Sequence, residues 1–515
     1  MGRLTAVVQD SVPGVPTQAR TFSYDANHRI RYQRMGPVDA NFQPVGVQIV
    51  TETQYDRGGR VQRRIMAGGA TDGSYTATGI VMNYSYANGD RDVTESLPSG
   101  TRSVLRYADG RIKSISGAAV VTPESYSYSF DASGRRQTTL EYSTEANKRP
   151  RIVALDWLGR VVEERINGVL QPNGTSKPIV VSNDYGSRGL LDVVKVMEMT
   201  GSTPLRLSAD RRFDYDEFGS LRSGGLDLNS DHVLQEASLD RFNSSETKFH
   251  QDLSGAWWIH TIAKVYHTDN SATAHNTSRY VRLTGFGVGQ TMQVDSYDFY
   301  NNRTYEEVTF SNTAHSRVTT RSAVDGTRTV TTTVGGLVTT QSAVNDSGTE
   351  THTATSVYDE EGRLRQSTSP RGVVTRHEYH LGTNQLWRTF EDRNEQGGEI
   401  RVAVLSYESS GRVSAATDAK GNVTTTTYYP TGQIKDRGGN GAHPLHHVYN
   451  GHGQLKELWT FRNGPTGTPD RTIWDYDPNT GWLKSKQDAV NPSVAYSYTN
   501  ASPYKIITRL SLIHI

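Results

Sequence analysis

The 515-residue sequence contains no cysteine. This excludes thiol catalysis and cysteine-based metal sites, but it fixes no compartment, because a large extracellular protein can do without disulfides. The chain also lacks an apolar run of the ~18 residues that a membrane-spanning helix needs. Its N-terminus, MGRLTAVVQDS, has no apolar segment typical of a signal peptide. The net charge is +1 without a basic stripe, so nucleic-acid binding is not expected.

Apolar residues are also scarce, at 34% of the chain, yet charged residues make up only 21%. This composition is not the charge-rich, aromatic-poor profile of a disordered protein. Tyrosine is abundant, with 27 residues against 12 phenylalanines, and it suits a half-buried surface with the ring inside and the hydroxyl at the edge. At this length, either several domains or one repeat array is expected, because single cores stop growing at ~250–300 residues.

A seven-residue frame recurs along the chain: an aromatic residue, Asp or a similar residue, two variable residues, Gly, Arg or a similar residue, and an apolar residue. Nine units place Gly four positions after the opening residue, and they open at Tyr55, Phe130, Leu155, Tyr185, Tyr215, Tyr358, Tyr407, Tyr428 and Tyr449. Looser copies open at Tyr24, Tyr107, Tyr297 and Tyr476. The last three full units follow one another at intervals of 21 residues, and half-units such as TDAKGNV lie between them. Such self-similarity indicates a repeat architecture.

The frame has the chemistry of a tight hairpin turn. Asp at the first turn position and Gly at the fourth are typical of a type I turn, in which Asp caps the turn and Gly takes a positive φ. Followed by a bulge, this is a common three-residue hairpin connection. We assign structural turn roles to Asp56, Gly59, Gly134, Asp156, Gly159, Asp216, Gly219, Asp359, Gly362, Gly411, Gly432 and Gly453. The repeat aromatics, which we expect to pack between neighbouring turns, are Tyr24, Tyr55, Tyr215, Tyr297, Tyr358, Tyr407, Tyr428, Tyr449 and Tyr476.

The segments between turns alternate as strands do, and short strands at a steady ~8–12-residue spacing predict an all-β array. The best helix candidate, LLDVVKVMEM at 190–199, fits a strand at least as well. We divide the chain into irregular repeats (1–225), diverged β repeats (226–350), regular 21-residue repeats (351–505) and a tail (506–515). Because no Pro-rich or Ser-rich linker separates these parts, one continuous body is expected.

The heptamers YDEEGRL, YESSGRV, LDWLGRV and YDRGGRV resemble the YD repeats of the Rhs family. The half-units SPRGVVTRHEY and TDAKGNVTTTTYY resemble the same family's Pro/Asp-x-Gly step towards the next Tyr. The likeness covers roughly residues 1–500 and is weakest in 226–290. That family includes bacterial Rhs polymorphic toxins, the cocoon components of insecticidal toxin complexes, and animal teneurins.

The resemblance implies both a fold and a role. In this family β-hairpins wind spirally into a large hollow shell, and in the toxin members the shell encloses a variable C-terminal toxic domain until delivery. The repeats themselves are scaffold. The parent of this chain is therefore expected to be a secreted or cell-surface bacterial protein, with its own C-terminal toxin as partner.

The chain departs from the family pattern at the segment where the core cleaves itself, which is normally of the Asp-Pro-x-Gly-Leu type. The only Asp-Pro here is Asp477-Pro478, within a YD unit, so no cleavage residue is assigned and the toxin is expected outside this chain. The chain opens with Met1-Gly2-Arg3-Leu4, inside a repeat. Its end, LSLIHI (Leu510 to Ile515), back-translates as CTGTCTCTTATACACATC, which resembles a transposon end used in sequencing libraries. We interpret the chain as a gene fragment with an adapter-derived tail at 510–515.

Four other patterns have ordinary structural explanations, and we favour these. GFGVGQ (Gly285 to Gln290) lacks the spacing of a phosphate loop and predicts a tight hairpin or bulge. HPLHH, with its three histidines at 443, 446 and 447, has no fixed metal-ligand spacing and is expected to be a loop. In WWIH (Trp257 to His260), adjacent strand residues point to opposite faces, so one Trp packs inward and the other could be exposed. The Arg of each unit, such as Arg60, could serve a ligand, but a cross-strand role beside Asp or over a neighbouring Tyr is favoured.

We therefore expect no enzyme activity, cofactor or metal, since no Asp, Glu or Ser stands in a distinctive catalytic context. The favoured function is a non-catalytic wall that encapsulates a cargo. The alternative is a cell-surface adhesion or carbohydrate-binding protein that uses exposed Tyr and Trp to stack on sugars. A cell-wall structural protein without cargo is a third, weaker hypothesis.

Overall fold

Alternating Tyr, Thr and Val segments separated by Gly-containing turns form β-strands throughout a computed structural model of the chain. The structure describes residues 3–9, 17–70, 80–142, 149–168, 176–200, 203–266, 273–283, 291–311, 316–345, 347–359, 362–380, 384–392, 398–478, 480–490, 493–499 and 506–510.

The strands are β1 (Ala6–Gln9), β2 (Gln18–Tyr24), β3 (Ile30–Pro37), β4 (Gln48–Tyr55), β5 (Val61–Ala70), β6 (Ile80–Ala87), β7 (Asp92–Leu97), β8 (Gly100–Arg106), β9 (Ile112–Ser116), β10 (Glu124–Phe130), β11 (Arg136–Tyr142), β12 (Arg151–Leu155), β13 (Val161–Ile166), β14 (Ile179–Tyr185), β15 (Leu191–Thr200), β16 (Thr203–Arg206), β17 (Asp210–Tyr215), β18 (Leu221–Asp227), β19 (Arg241–Gln251), β20 (Trp257–Tyr266), β21 (His275–Arg282), β22 (Thr291–Tyr297), β23 (Arg303–Ser311), β24 (Ser316–Ser322), β25 (Arg328–Val334), β26 (Leu337–Val344), β27 (Glu350–Tyr358), β28 (Leu364–Thr368), β29 (Val374–Tyr379), β30 (Leu386–Asp392), β31 (Ile400–Tyr407), β32 (Val413–Asp418), β33 (Val423–Tyr428), β34 (Ile434–Gly438), β35 (Leu445–Tyr449), β36 (Leu455–Thr460), β37 (Asp470–Tyr476), β38 (Leu483–Gln487), β39 (Val494–Thr499) and β40 (Ile506–Leu510).

These strands form one open antiparallel sheet in which each strand pairs with the next one in sequence. The exception is β15, which pairs with both the short β16 and β17. The described residues contain no helix, and the 190–199 segment forms most of β15. The all-β hairpin prediction is therefore confirmed. The described part of the chain also has no helix with the length and hydrophobicity of a membrane span.

In most hairpins that contain a repeat aromatic, the register shifts by one residue at that aromatic. In the β4–β5 hairpin, Tyr55 lies opposite Val61 while the preceding residue, Gln54, lies opposite Arg63. The same shift occurs at Tyr358, Tyr407 and other repeat tyrosines. A bulge of this kind increases the local twist of a strand. Its regular recurrence at one edge gives the sheet a consistent curvature.

The curved sheet returns onto itself. Arg149 Nε donates to the Pro478 carbonyl at 3.0 Å across 329 residues of sequence, and Arg149 Nη1 donates to Gln454 Oε1 at 3.2 Å across 305 residues. The Tyr142 and His452 rings meet edge to face, with centroids 5.6 Å apart. One edge of the C-terminal hairpins therefore lies on the opposite edge of the early strands.

Glycines at this junction show how close the approach is. A Cβ on Gly411 would lie 2.9 Å from Ile80 Cδ1, and a Cβ on Gly453 would overlap the Val121 side chain. Turns of the regular repeats thus sit against Ile80, at the start of β6, and Val121, just before β10, and we call these long-range contacts the winding seam.

The sheet forms a single layer with little conventional core. Only 15 hydrophobic side chains among the described residues are buried, among them Val50, Ala154, Val193 and Phe242. The accessible surface is 30215 Å², whereas a compact monomer of this mass would expose about 19,000 Å². Stability must therefore come mainly from strand pairing and from contacts between neighbouring turns.

Candidate functional site

The repeated turn is the chain's most regular arrangement of polar groups. In the unit that opens at Tyr55, the Gly59 backbone N–H donates to the Asp56 carbonyl at 3.1 Å, and the Asp56 N–H donates to the Arg60 carbonyl at 2.9 Å. Asp56 Oδ1 accepts from the Arg60 backbone N–H at 2.9 Å, and Oδ2 accepts from Arg60 Nε at 2.6 Å. Both carboxylate oxygens are thus used within the turn, as type I turn chemistry requires.

The other predicted turn residues occupy the same places. The turn glycines have φ between 74° and 92°, the left-handed region that side chains disfavour, at Gly59, Gly134, Gly159, Gly219, Gly362, Gly411, Gly432 and Gly453. Asp156 and Asp359 accept from Arg160 and Arg363 as Asp56 does from Arg60. Asp216 accepts instead from the Ser220 backbone N–H at 2.8 Å, because Ser replaces Arg in that unit.

The turn arginine also contacts the next hairpin. The Arg60 guanidinium lies 4.7 Å from the Tyr86 ring centroid, and the Tyr86 hydroxyl donates to the Val61 carbonyl at 2.8 Å. Arg363 covers Tyr379 at 4.6 Å in the same way. The favoured cross-strand role of the repeat arginine is confirmed, because each of these arginines pairs with its own Asp and stacks on a neighbouring Tyr. We call this combination of Asp, Arg and the following Tyr the turn clamp.

Most repeat tyrosines use their hydroxyl to join consecutive hairpins. Each donates, at 2.7 to 3.0 Å, to the carbonyl at or near the start of an earlier strand: Tyr24 to Leu4, Tyr55 to Ile30, Tyr358 to Val338, Tyr407 to Leu386, Tyr428 to Val413 and Tyr476 to Leu455. The rings lie half-buried between turns while the hydroxyls satisfy backbone groups. Tyrosine predominates over phenylalanine for this reason.

Three repeat tyrosines are placed differently. Tyr449 meets Tyr429 edge to face at 5.9 Å, and Tyr429 provides the hydroxyl bond, to His447, in that unit. Tyr297 meets Tyr280 at 5.8 Å. Tyr215 is half-buried and its backbone carbonyl accepts from Arg188 Nη2 at 3.2 Å.

Ionisation in the turns follows from these hydrogen bonds. The Arg29 side chain holds the pKa of Asp25 below its ordinary value, and Arg60 does the same for the pKa of Asp56. Burial raises the pKa of Tyr407 and Tyr476. All four groups therefore keep their usual charge at neutral pH, and none is prepared for proton transfer.

The WWIH segment lies in β20 and places its two tryptophans on opposite faces. Trp258 is buried, and its Nε1 donates to Asp252 Oδ2 at 2.7 Å, whereas Trp257 is 49% exposed. Hydrogen bonds from Ser254 and Trp258 hold the pKa of Asp252 well below its usual range. His260 stacks on Tyr280 at 3.9 Å. Trp257 alone of the pair is free to meet a ligand.

The expectation of a loop at HPLHH is wrong for two of its histidines, because His446 and His447 lie in β35, and the histidines do not converge. His446 Nδ1 lies 2.6 Å from Asp436 Oδ1 and its ring packs near Trp459, while the His447 ring is parallel to Tyr449. Within the described ranges, no group of three or more His, Cys, Asp or Glu side chains is arranged to hold a metal ion. GFGVGQ lies outside the described residues.

Sequence reasoning missed the winding seam. Ile80, Val121 and Arg149 stand outside the repeat frame, and their partners lie in ordinary YD turns. No local pattern marks them, because contacts across hundreds of residues leave no periodic signal.

This fold is also found in solved structures of Tc toxins. A Photorhabdus luminescens Tc holotoxin pore with a mutated TccC3 matches with a TM-score of 0.54 at 13% identity, over 98% of this chain and 26% of the matched chain. A crystal structure of TcdB2-TccC3 without its hypervariable C-terminal region matches with a TM-score of 0.51 at 12% identity, over 98% of this chain and 27% of the other. Both are Rhs-repeat shell structures, and at this identity the likeness shows the fold alone.

The chain spans about a quarter of the length of the structures it matches. No protein-family model matches the sequence. No curated protein matches it either.

Proposed function

We propose that this chain is a non-catalytic segment of a YD-repeat, Rhs-type shell whose role is to enclose a cargo. The observation that carries the proposal is the winding seam, in which Arg149 meets Pro478 and Gln454. A flat repeat array would keep these residues far apart. A sheet that returns onto its own edge instead forms a closed wall around an interior.

The size of the interior follows from strand spacing. Strands β10 to β35 lie between Val121 and Gly453, which meet at the seam. At ~4.8 Å per strand, they give a perimeter of roughly 120 Å and therefore a diameter of roughly 40 Å between backbones. That width leaves room for an unfolded or partly folded polypeptide.

The cargo is the part of the proposal that rests on the family resemblance. In the toxin members, the shell encloses a C-terminal toxic domain, and the solved neighbours are Tc-toxin structures, one of them lacking a hypervariable C-terminal region. By analogy, the parent of this chain is a secreted or contact-delivered bacterial toxin. Its toxic region would lie in sequence that this chain does not contain.

Small-angle X-ray scattering of the monomeric chain tests the closed wall. An unwound ribbon of forty strands would be about 190 Å long. Winding at the seam predicts a maximum dimension of about half that length or less. A ribbon-like profile with the longer dimension would overturn the proposal.

Exposed tryptophans favour one alternative function, carbohydrate binding. Trp257 is 49% exposed on β20, and Trp157 is 85% exposed at a turn tip. An exposed indole face can stack on a sugar ring. Specific signals on a glycan array that disappear with Trp257→Ala, while Trp258→Ala retains them, would support this alternative; an array without specific signals would eliminate it.

A further inference from the structure

The β19–β20 hairpin extends well beyond its neighbour on the β18 side. Ser245 Oγ donates to the Leu221 carbonyl at 3.2 Å, so Ser245 makes the bond that a repeat tyrosine makes elsewhere, directly before its turn. Here the strand instead continues for six more residues to Gln251, which adds about 20 Å at the usual rise per residue. Every residue from Ser245 to Gln251 is exposed. The outer part of β19 is therefore an edge strand inside the array.

The hydrogen-bonding direction of this edge follows from the turn at the tip of the hairpin. The Asp252 N–H donates to the Ala256 carbonyl at 2.9 Å, and the register between β19 and β20 is regular from there back to Phe242. Opposed residues of antiparallel strands alternate between bonded and non-bonded pairs, so the even-numbered residues of β19 bond to β20. The backbone N–H and C=O groups of Phe249 and Gln251 therefore point away from β20.

The neighbouring hairpin covers only the lower part of this edge. The β18–β19 register ends with Ser223 opposite Ser244, and its continuation places the 216–220 turn beside Thr247. Within the described ranges, no strand pairs with β19 beyond that point on this side. Two residues with outward-pointing backbone groups, Phe249 and Gln251, remain beyond the turn.

This edge lacks the usual protection against further pairing. Natural sheets blunt open edges with proline, bulges or charged residues. Neither outward-pointing position of β19 is charged or a proline, Phe249 is 65% exposed, and the register with β20 contains no bulge. An unblunted edge of this kind is a template for one more strand.

A second copy of this chain fits the edge in one register. In an antiparallel two-fold arrangement, Phe249 of each copy lies opposite Gln251 of the other, and these two bonded pairs provide four main-chain hydrogen bonds. A shift by two residues in one direction would drive the second strand into the 216–220 turn. The same shift in the other direction would leave a single bonded pair. The edge is thus self-complementary, with His250 on the two-fold axis.

Charge and shape agree with the same register. Lys248 of each copy lies opposite Asp252 of the other, so the contact contains two cross-strand pairs of opposite charge. The tip residue Leu253 is fully exposed, and in this register it reaches the level of Thr247 on the other copy. There an open cavity of about 750 Å³, lined in part by Ser220 and Thr247, leaves room for the tip.

We propose that the β19 edges of two copies of this chain pair across a two-fold axis at His250 and form a dimer. The contact consists of four main-chain hydrogen bonds, two charge pairs and a few apolar side chains. An interface of this size is at the small end of specific contacts, where association is weak and reversible. We therefore expect a Kd of about 10 to 100 µM.

Sedimentation velocity of the full chain, measured between about 1 and 200 µM, tests the dimer. The sedimentation coefficient should rise with concentration from the monomer towards the dimer. Phe249→Pro removes an N–H that the chain's own sheet does not use, so this variant should fold and stay monomeric. Lys248→Glu places like charges opposite each other and should weaken association at least about tenfold. Lys456→Glu makes the same charge change at an exposed position of β36 and should dimerise as the wild type does.

Single cysteines test the register, because the chain has no cysteine of its own. His250→Cys places two thiols in a non-bonded pair with Cα atoms about 4.5 Å apart, which suits a disulfide, so mild oxidation should produce a covalent dimer. Lys248→Cys is the matched control on the same face of β19. Its counterpart is displaced by four residues, or about 13 Å along the strand, so this variant should stay unlinked.

Two results would overturn the proposal. A wild-type chain that stays monomeric up to about 200 µM would leave the edge to a strand of a different polypeptide. Equal disulfide yields from His250→Cys and Lys248→Cys would show random collision instead of a defined register. Neither result bears on the shell, which rests on the winding seam.

Discussion

Replacing Gly453 with alanine perturbs the winding seam, and Gly134→Ala provides a matched control. Both glycines close equivalent turns, with φ of 74° and 77°. A left-handed conformation costs a non-glycine residue about 1–2 kcal/mol, so both variants share that cost. They differ in surroundings: a Cβ on Gly134 meets nothing within 4 Å, whereas a Cβ on Gly453 overlaps Val121.

The overlap sets the size of the difference. Overpacking typically costs about 1–3 kcal/mol, so Gly453→Ala should lower the free energy of local opening by that much more than Gly134→Ala does. Hydrogen-exchange mass spectrometry is the suitable assay, because repeat arrays open in local units rather than all at once. Gly134→Ala should speed exchange only in β10 and β11. Gly453→Ala should speed exchange in β35 and β36 and also in the peptide that contains Val121.

A second variant separates the seam from the turn. Val121→Ala, combined with Gly453→Ala, removes the overlapping methyl groups and should recover most of the excess loss while leaving the shared φ cost. Equal effects of Gly453→Ala and Gly134→Ala, with no change near Val121, would refute the reasoning. The contact would then contribute nothing to stability.

Two further predictions concern the turn clamp. Tyr428→Phe keeps the ring beside Arg412 but loses the 2.7 Å hydrogen bond to the Val413 carbonyl, so exchange protection in β33 should fall by about 0.5–1.5 kcal/mol. The control Tyr300→Phe, at an exposed turn tip, should leave protection unchanged. Equal effects of the two variants would contradict the clamp. Arg29 and Arg60 depress the folded-state pKa of Asp25 and Asp56. The stabilisation of the folded state by these two carboxylates is therefore present above their unfolded pKa of about 4, and it is lost as the pH falls through their folded-state pKa values. Denaturant midpoints measured from pH 7 to pH 2 should therefore fall below about pH 4, and Asp56→Asn should show a smaller fall; a flat profile would contradict the assignment.

The turn clamp could be predicted from sequence because its parts are local. Asp56, Gly59 and Arg60 lie within one turn, so their roles follow from type I turn chemistry without knowledge of the fold. The stacking of Arg60 on Tyr86 was predictable in kind, since the repeat places a Tyr near every turn. Its exact partner depends on which hairpins are neighbours.

The winding seam could not be predicted in this way. Val121 and Gly453 meet because many small bulge-driven curvatures accumulate, and no single residue specifies the sum.

The most direct test of the wound sheet is intramolecular cross-linking. The chain has no native cysteine, so Arg149→Cys with Gln454→Cys introduces a unique pair at side chains that meet across 305 residues. A short bis-maleimide should join this pair efficiently in the monomer, while Arg149→Cys with Gln341→Cys, on the distant strand β26, should stay unlinked. Equal yields from the two pairs, or no link in the first, would contradict the account that this sheet closes into a wall.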